Sequence, residues 1–294
     1  MMKINLWVVI WLGRGDKTIL ILPAFGDQSP AIQYKTLVDE LSKDNKVIVI
    51  EYFGYGFSMG IDKERTNECI VTEIKGLLDE LGEEAPYVLI ANDTSNIYAM
   101  YFQKKFPNLV ESIISIDGLY PREINDTFYL QELRKEISNI KMTSLFELTG
   151  FERVLSYAKP EVFGIDKMEL LTQNYSENDL KIYRSRIGSS YLTKTMINEI
   201  NKLEDNINEV IDYTYPDYLP VLEILSSELI DKYEFNKQQG NSNVTYPLLA
   251  NELLTNTTLQ RVIKIDGENM LQLSNPTVLV DEINKFFGTY VIQY

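Results

Sequence analysis

The chain has 294 residues, of which 45% are hydrophobic and 24% charged, a composition that predicts a globular protein with a large buried core. Its 43 acidic and 28 basic residues give a formal charge of −15, which disfavours nucleic acid and anionic membrane surfaces as partners. The chain contains no histidine, which excludes every mechanism that uses an imidazole as its base.

The cysteine content and the N-terminus bear on cellular location. A single cysteine, Cys69, excludes an internal disulfide, and its place in an amphipathic segment favours a small apolar packing role. Residues 4–12 are apolar, but a turn at 13–16 follows without a small-residue cleavage site, which favours a first β-strand over a signal peptide. No run is long enough to cross a bilayer. We therefore expect a cytoplasmic protein that contacts no membrane.

Strand and helix patterns alternate through the first 118 residues. Apolar, β-branched runs predict buried strands at 18–23, 47–51, 87–92 and 112–117. Helical patterns lie between them at 31–43, 63–81 and 95–105. This alternation predicts an α/β fold with a mainly parallel central sheet flanked by helices.

The pattern changes to consecutive helices from residue 119 to about 217. Ser176, followed by acidic residues, marks one helix start. Breaks are predicted near Gly150, Pro160, Gly164 and Gly188.

Strands resume at 220–225 and 261–265, and a last helix is predicted at 276–287. We therefore predict a core formed by residues 1–118 and 218–294 and an inserted helical cap formed by residues 119–217.

Four short segments stand at the loops and turns of this predicted sheet. They are Leu-Pro-Ala-Phe-Gly at 22–26, Glu-Tyr-Phe-Gly-Tyr-Gly-Phe-Ser at 51–58, Ala-Asn-Asp-Thr-Ser at 91–95, and Gly-Glu-Asn-Met-Leu-Gln-Leu-Ser-Asn-Pro at 267–276. In order and spacing they resemble the α/β-hydrolase superfamily, particularly small bacterial members with a helical cap between the family's sixth and seventh strands. The resemblance covers nearly the whole chain and is weakest in the cap.

The resemblance assigns family positions to individual residues. Asp93 stands where the nucleophile of Gly-x-Ser-x-Gly would be, Asn269 where the histidine would be, and Leu229 where the acid would be. Phe25 and Thr94 stand at the two positions whose backbone amides form the oxyanion hole.

These replacements predict that Ser-His-Asp hydrolysis is absent. Attack by serine needs a base whose pKa lies near the working pH, and imidazole normally supplies it. All three triad positions are vacated, at 93, 229 and 269. The turn that carries the nucleophile in this superfamily, the elbow, has also lost its small glycines, which are replaced by Ala91, Ser95 and Asn96. The loss suggests a turn under relaxed constraint, or one that no longer has to expose a reactive oxygen.

An aspartate nucleophile is a second implication of the resemblance. Haloalkane dehalogenases and epoxide hydrolases of this fold form an ester on an aspartate, which water then cleaves. Asp117 falls where some dehalogenases keep their acid, and Glu268 could replace the histidine as a weak base if it were buried. A structural alternative is that Asp93 caps the following helix, with Asn269 hydrogen-bonded to it.

The pocket, cofactor and metal predictions follow from residue types. Tyr52, Phe53, Tyr55 and Tyr120 could line a site for a small apolar ligand near the pocket mouth, or they could belong to the core. Without histidine and with one cysteine we expect no zinc site, and no loop has the spacing of a calcium, magnesium or phosphate site. We expect no metal and no cofactor.

Three hypotheses for function remain at this point. The first is a pseudoenzyme with a degenerate triad that binds a small apolar ligand or a protein partner. The second is a hydrolase acting on an uncharged ester, epoxide or haloalkane with Asp93 as nucleophile. The third is an inactivated variant without a new function. The residues do not indicate an oligomeric state.

Overall fold

The computed structural model describes residues 9–15, 17–147, 175–187 and 192–290. In these ranges a seven-stranded sheet forms the centre of the protein. Its strands are β1 (Val9–Leu12), β2 (Thr18–Leu22), β3 (Lys46–Ile50), β4 (Tyr87–Asn92), β5 (Val110–Ile116), β6 (Val221–Ser226) and β7 (Gln260–Ile265). The strand order is β1-β3-β2-β4-β5-β6-β7. β1 pairs antiparallel with β3, and all other pairs are parallel.

Both faces of the sheet are covered, because the strands consist of continuous apolar runs. Leu20 and Leu22 of β2 face one hydrophobic cluster, while Ile19 and Ile21 face the other. All six residues of β4 are buried. The predicted parallel sheet and its flanking helices are confirmed, with the predicted bounds falling within a few residues of those observed.

The helices are α1 (Pro30–Gln33), α2 (Lys35–Leu41), α3 (Asn67–Leu81), α4 (Ser95–Lys105), α5 (Thr127–Glu147), α6 (Glu177–Ile187), α7 (Lys194–Glu209), α8 (Ser227–Gln238), α9 (Tyr246–Asn251), α10 (Leu271–Ser274) and α11 (Pro276–Tyr290). Buried residues of α3, α4 and α7 pack in the cluster on one sheet face, and those of α2 and α11 pack in the cluster on the other.

Helices α5, α6 and α7 lie between β5 and β6, in the segment predicted as the cap. The start of α6 is as predicted: the Asp179 amide donates to Ser176 Oγ at 3.1 Å, and the Ser176 amide donates to Asp179 Oδ2 at 2.9 Å. The predicted breaks near Gly150, Pro160, Gly164 and Gly188 lie outside the described residues. The bounds of the core and of the cap at 119–217 stay a prediction.

Polar contacts attach α7 to the loop that precedes α3. Thr195 Oγ1 accepts from the Ile61 amide at 2.7 Å and donates to the Ile61 carbonyl at 2.8 Å. Asn206 Oδ1 accepts from the Asn67 amide at 3.0 Å, and Asn206 Nδ2 donates to the Arg65 carbonyl at 2.9 Å. Buried hydrogen bonds of this kind fix the helix against the core.

Cys69 departs from its predicted apolar role. Its side chain is buried, but Sγ lies 3.2 Å from Glu73 Oε1 and 3.6 Å from Arg65 Nη1. The thiol therefore belongs to a polar cluster, and burial raises its pKa. No helix in the described ranges is both long enough and apolar enough to span a bilayer.

Candidate functional site

Asp93 occupies a sharp turn between β4 and α4. Its φ is +49°, in the left-handed region that aspartate tolerates better than most residues. The Asp93 amide donates to the Ile116 carbonyl at 3.1 Å, and its carbonyl accepts from Asn96 at 3.0 Å and Leu119 at 3.0 Å. The prediction of a relaxed turn is therefore wrong, because the backbone keeps the tight geometry without the elbow glycines.

Space for the larger elbow side chains is made at Gly118, on the neighbouring loop. A Cβ at that position would lie 2.5 Å from Asn96 Nδ2 and 2.3 Å from Ser115 Oγ. Because residue 118 has no side chain, there is room for the Asn96 side chain at an elbow position that is glycine in the superfamily.

The Asp93 carboxyl is half-buried at the bottom of this turn. Burial raises the pKa of Asp93 to about 7, the nearby charge of Glu136 adds to the rise, and the Thr94 amide opposes it. The N-cap position of α4 is Thr94, whose side chain makes no capping hydrogen bond. That the Asp93 carboxyl caps this helix stays a prediction.

The backbone amide of Phe25, at one predicted oxyanion-hole position, is already engaged. It donates to Thr94 Oγ1 at 2.8 Å, and the Thr94 side chain is buried. The structure therefore brings the Phe25 amide and the Thr94 hydroxyl into contact beside Asp93, and the oxyanion-hole role of the two positions stays a prediction.

Asp27 holds the loop that carries Phe25, a role that sequence reasoning missed. Its Oδ2 accepts from the Ala24 amide and from the Tyr34 hydroxyl, each at 2.9 Å, and Oδ1 accepts from Gln33 Nε2 at 2.8 Å. Burial raises the pKa of Asp27 to about 7, against these hydrogen bonds. Asp27 directly follows the motif at 22–26, and its place beside that motif is the sequence feature that could have indicated this role.

Asp117 lies at the end of β5 with a φ of +47° and is buried. Its Oδ1 accepts from the Ser226 amide at 2.7 Å, which joins the ends of β5 and β6. Within the described structure, its Oδ2 has no hydrogen-bond partner. Burial raises the pKa of Asp117 to about 6. Leu229, at the predicted acid position, is half-buried on α8 and packs against the core.

Asn269, at the predicted histidine position, is exposed. Its Oδ1 accepts from the Met270 amide at 2.8 Å, and its own amide donates to Glu228 Oε2 at 2.6 Å. The predicted hydrogen bond between Asn269 and Asp93 is thus replaced by bonds within the loop after β7 and to α8. Glu268 is also exposed, whereas its predicted role as a base depends on burial.

No family model matches the chain. The uncharacterized protein YbdG of Bacillus subtilis (strain 168) is 25% identical over 213 residues, which cover 71% of this chain and 62% of that protein. The match thus spans less than two thirds of the relative's length.

Several solved structures are similar over nearly their full length. An epoxide hydrolase of Bacillus megaterium superposes with a TM-score of 0.69 at 16% identity, covering 96% of each chain. A carboxylesterase of Nitrososphaera gargenis gives 0.65 at 14% identity, covering 100% of this chain and 98% of the other. A thermophilic esterase of Thermogutta terrifontis gives 0.62 at 15%, covering 97% and 93%. The chain has the α/β-hydrolase fold. At these identities the likeness shows the fold and not the activity.

On this α/β-hydrolase fold, the charges around Asp93 include Asp117, which the sequence pointed to, and three others that it did not. Glu136 on α5 and Asp117 raise the pKa of Asp93, and Lys232 on α8 lowers it. Burial raises the pKa of Glu123 to about 7, opposed by a hydrogen bond from Tyr233. No local motif marks Glu123, Glu136 or Lys232, because they come from segments distant in sequence from Asp93.

The predicted pocket-lining tyrosines of the α/β-hydrolase core are fully buried. Tyr52 lies 2.9 Å from Ser95 Oγ, Tyr55 donates to Glu199 at 3.0 Å, and Tyr120 donates to Glu223 at 2.9 Å. The hydroxyls of these tyrosines are thus hydrogen-bonded to other protein side chains, and the tyrosines belong to the core, which was the alternative prediction.

Phe53, the fourth predicted lining residue, is also buried, with 9% of its surface exposed. Across the described ranges, no group of three or more histidine, cysteine or acidic side chains is placed to hold a metal ion.

Proposed function

We propose that this protein binds a small uncharged ligand in the cleft above Asp93 and does not hydrolyse it. The observation that carries the proposal is the position of Asn269. It stands where the family's histidine would be, yet it is exposed and hydrogen-bonded to Met270 and Glu228. The chain has no histidine at any other position that could act in its place.

The state of Asp93 supports the same proposal. With a pKa of about 7, much of the Asp93 carboxyl is protonated at neutral pH, and the protonated form is a poor nucleophile. An ester formed on Asp93 would also need a base to activate the water that cleaves it. Asp117 is tied to the sheet, because its Oδ1 accepts from the Ser226 amide at 2.7 Å, so only its Oδ2 could take up a proton from water.

The charges around Asp93 favour an uncharged ligand over an anion. At neutral pH negative charge comes from Glu136, from Asp117 and from the ionised fractions of Asp93 and Glu123, whereas Lys232 is positively charged. An anionic ligand would therefore be repelled, whereas a neutral molecule could accept a hydrogen bond from a protonated carboxyl. A protein partner stays a prediction of the sequence alone.

Turnover assays at pH 7 test the proposal. Wild type and Asp93→Asn are incubated with p-nitrophenyl butyrate, styrene oxide and 1-bromobutane, with Asp231→Asn as a control because Asp231 is exposed on α8. We expect all three proteins to match the uncatalysed rate. Turnover in wild type and Asp231→Asn that Asp93→Asn lacks would contradict the proposal.

A second candidate is a hydrolase with Asp93 as nucleophile. It is favoured by the φ of +49° at Asp93, a conformation that costs roughly 1–3 kcal/mol and persists only where the surrounding structure enforces it. The similar Bacillus megaterium structure is an epoxide hydrolase, so styrene oxide is the most informative substrate of the panel. This candidate predicts turnover that depends on Asp93.

A further inference from the structure

We infer that the Thr94 hydroxyl closes the anion subsite of this fold, so that Thr94 decides whether the cleft can hold a carboxylate or another oxyanion. The inference rests on the proposed function, because it concerns what a ligand meets in the same cleft. Phe25 and Thr94 supply the two amides at the oxyanion-hole positions.

The first amide is occupied by a side chain. The Phe25 N–H has a single proton, and it is donated to Thr94 Oγ1 at 2.8 Å. Only 7% of the Thr94 surface is exposed, so water does not readily compete for this bond. An incoming oxygen would have to displace the hydroxyl before it could reach the amide.

The second amide, that of Thr94, lies beside a carboxyl group, which would repel an anion. The Thr94 N–H lies beside the Asp93 carboxyl and stabilises its charged form. An oxyanion at this amide would lie close to that carboxyl and within the field of Glu136. The two amides are thus both directed to the elbow's own side chains.

The loop around Phe25 is fixed independently of Thr94. Asp27 accepts from the Ala24 amide at 2.9 Å and is itself held by Tyr34 and Gln33. Removal of the Thr94 hydroxyl should therefore leave the Phe25 amide in place and unpaired. Such an unpaired amide, in the loop after β2, can donate to a carboxylate oxygen.

The test uses butyrate as the anion and the full chain. Asp93→Ala removes the repelling charge, and Thr94→Ala or Thr94→Ser is added to it. Serine keeps the hydroxyl, so Asp93→Ala/Thr94→Ser is the matched control. Butyrate is titrated at pH 7 and fixed ionic strength, and the ¹⁵N–¹H signal of the Phe25 amide is followed.

We expect a saturable shift of the Phe25 signal in Asp93→Ala/Thr94→Ala, with an affinity at least tenfold above that of the single Asp93→Ala variant and of the serine control. Equal affinity in the three variants would overturn the inference. It would also be overturned if the Phe25 signal of the folded alanine variant did not respond. Failure of the proposed function would appear separately, as turnover by the wild-type protein.

Hydrogen exchange of the Phe25 amide tests the same inference in proteins that keep Asp93. Exchange of the Phe25 amide should be at least tenfold faster in Thr94→Ala than in wild type or Thr94→Ser. Equal exchange in the three proteins would show that the hydroxyl does not cover the amide and would overturn the inference.

Discussion

The hydroxyl of Tyr98, on the helix after the elbow, donates a hydrogen bond of 2.7 Å to Glu199 Oε1 on α7. Tyr55 donates to the other carboxylate oxygen at 3.0 Å. Burial raises the pKa of Glu199, while the charge of Arg65 and the two hydroxyls lower it. The elbow helix and α7 therefore share a buried polar cluster, which adds to the contacts that attach α7 to the core.

Replacement of Glu199 by alanine should destabilise the protein by about 3–5 kcal/mol, because two buried hydroxyls lose their acceptor and the buried Arg65 loses a nearby negative charge. Glu204→Ala on the same helix is the control. Glu204 binds Arg134 at the surface, so its loss should cost at most about 1 kcal/mol. Urea unfolding measures both free energies. A similar loss in the two variants would contradict the importance of the buried cluster.

The stability of the protein should fall as the pH rises from about 4 to about 7. Burial raises the pKa of Asp27, Asp93 and Glu123 to about 7 and that of Asp117 to about 6. In that range the folded state holds protons that the unfolded state has lost, so deprotonation favours unfolding. Urea unfolding at several pH values should therefore show a higher free energy of unfolding at pH 5 than at pH 8.

Asp27→Asn isolates one contribution to this slope, because asparagine does not titrate. Relative to wild type, the variant should gain about 2–3 kcal/mol of unfolding free energy between pH 5 and pH 8. Asp231→Asn, at an exposed position, is the control and should keep the wild-type slope. An unchanged slope in Asp27→Asn would show that Asp27 is ionised well below pH 7 in the folded protein.

Gly56→Ala should be destabilising because the turn at 51–58 has no room for a side chain there. Gly56 has a φ of +47°, and a Cβ would lie 2.3 Å from the Glu51 carboxylate. Glu51 Oε2 accepts from the Phe57 amide at 2.8 Å, so the clash would disturb a buried hydrogen bond. The strained backbone alone should cost about 1–3 kcal/mol.

Gly76→Ala is the matched control for this substitution. Gly76 lies within α3 with nothing within 4 Å of an added Cβ, so alanine should stabilise the helix by about 0.5–1 kcal/mol. Thermal unfolding should thus move in opposite directions for the two variants. A shift of the same sign in both would refute the steric account of the Gly56 turn.

Introducing serine and histidine at the two positions where serine hydrolases of this fold carry them should not produce hydrolysis. In Asp93→Ser/Asn269→His the new histidine would start from an exposed position beside Glu228, and Thr94 would still cover the Phe25 amide. Release of p-nitrophenol from p-nitrophenyl butyrate should therefore stay within about tenfold of the rate with Asp93→Ser alone, since base catalysis contributes about 10²–10⁴-fold. A gain of a hundredfold or more would show that the histidine position is still in reach.

Sequence patterns predicted the sheet because each buried strand is a local apolar run, as at 87–92, where every residue is buried. They also located the elbow, since the order of strand, turn and helix is local. The conformation of the elbow was mispredicted. The loss of glycines suggested relaxation, but the space was provided by Gly118, on another loop.

Local sequence patterns could not predict the polar contacts of the site, because the partners are far apart in the chain. Tyr55 and Glu199 are 144 residues apart, and Asn269 and Glu228 are 41 residues apart. Pairs of this kind form only when the folded sheet brings separate loops together, and no periodicity records them. Asp27, in contrast, directly follows the motif at 22–26, so a contact with that loop was predictable from the sequence.

A single incubation with styrene oxide at pH 7 tests the central claim most directly. Intact-protein mass and free diol are measured together for wild type and Asp93→Asn, so that both a stable ester and completed turnover would be detected. We predict an unchanged mass and no diol above the uncatalysed amount in either protein. An adduct that maps to Asp93, or diol formation that Asp93→Asn abolishes, would contradict the account and establish Asp93 as a nucleophile.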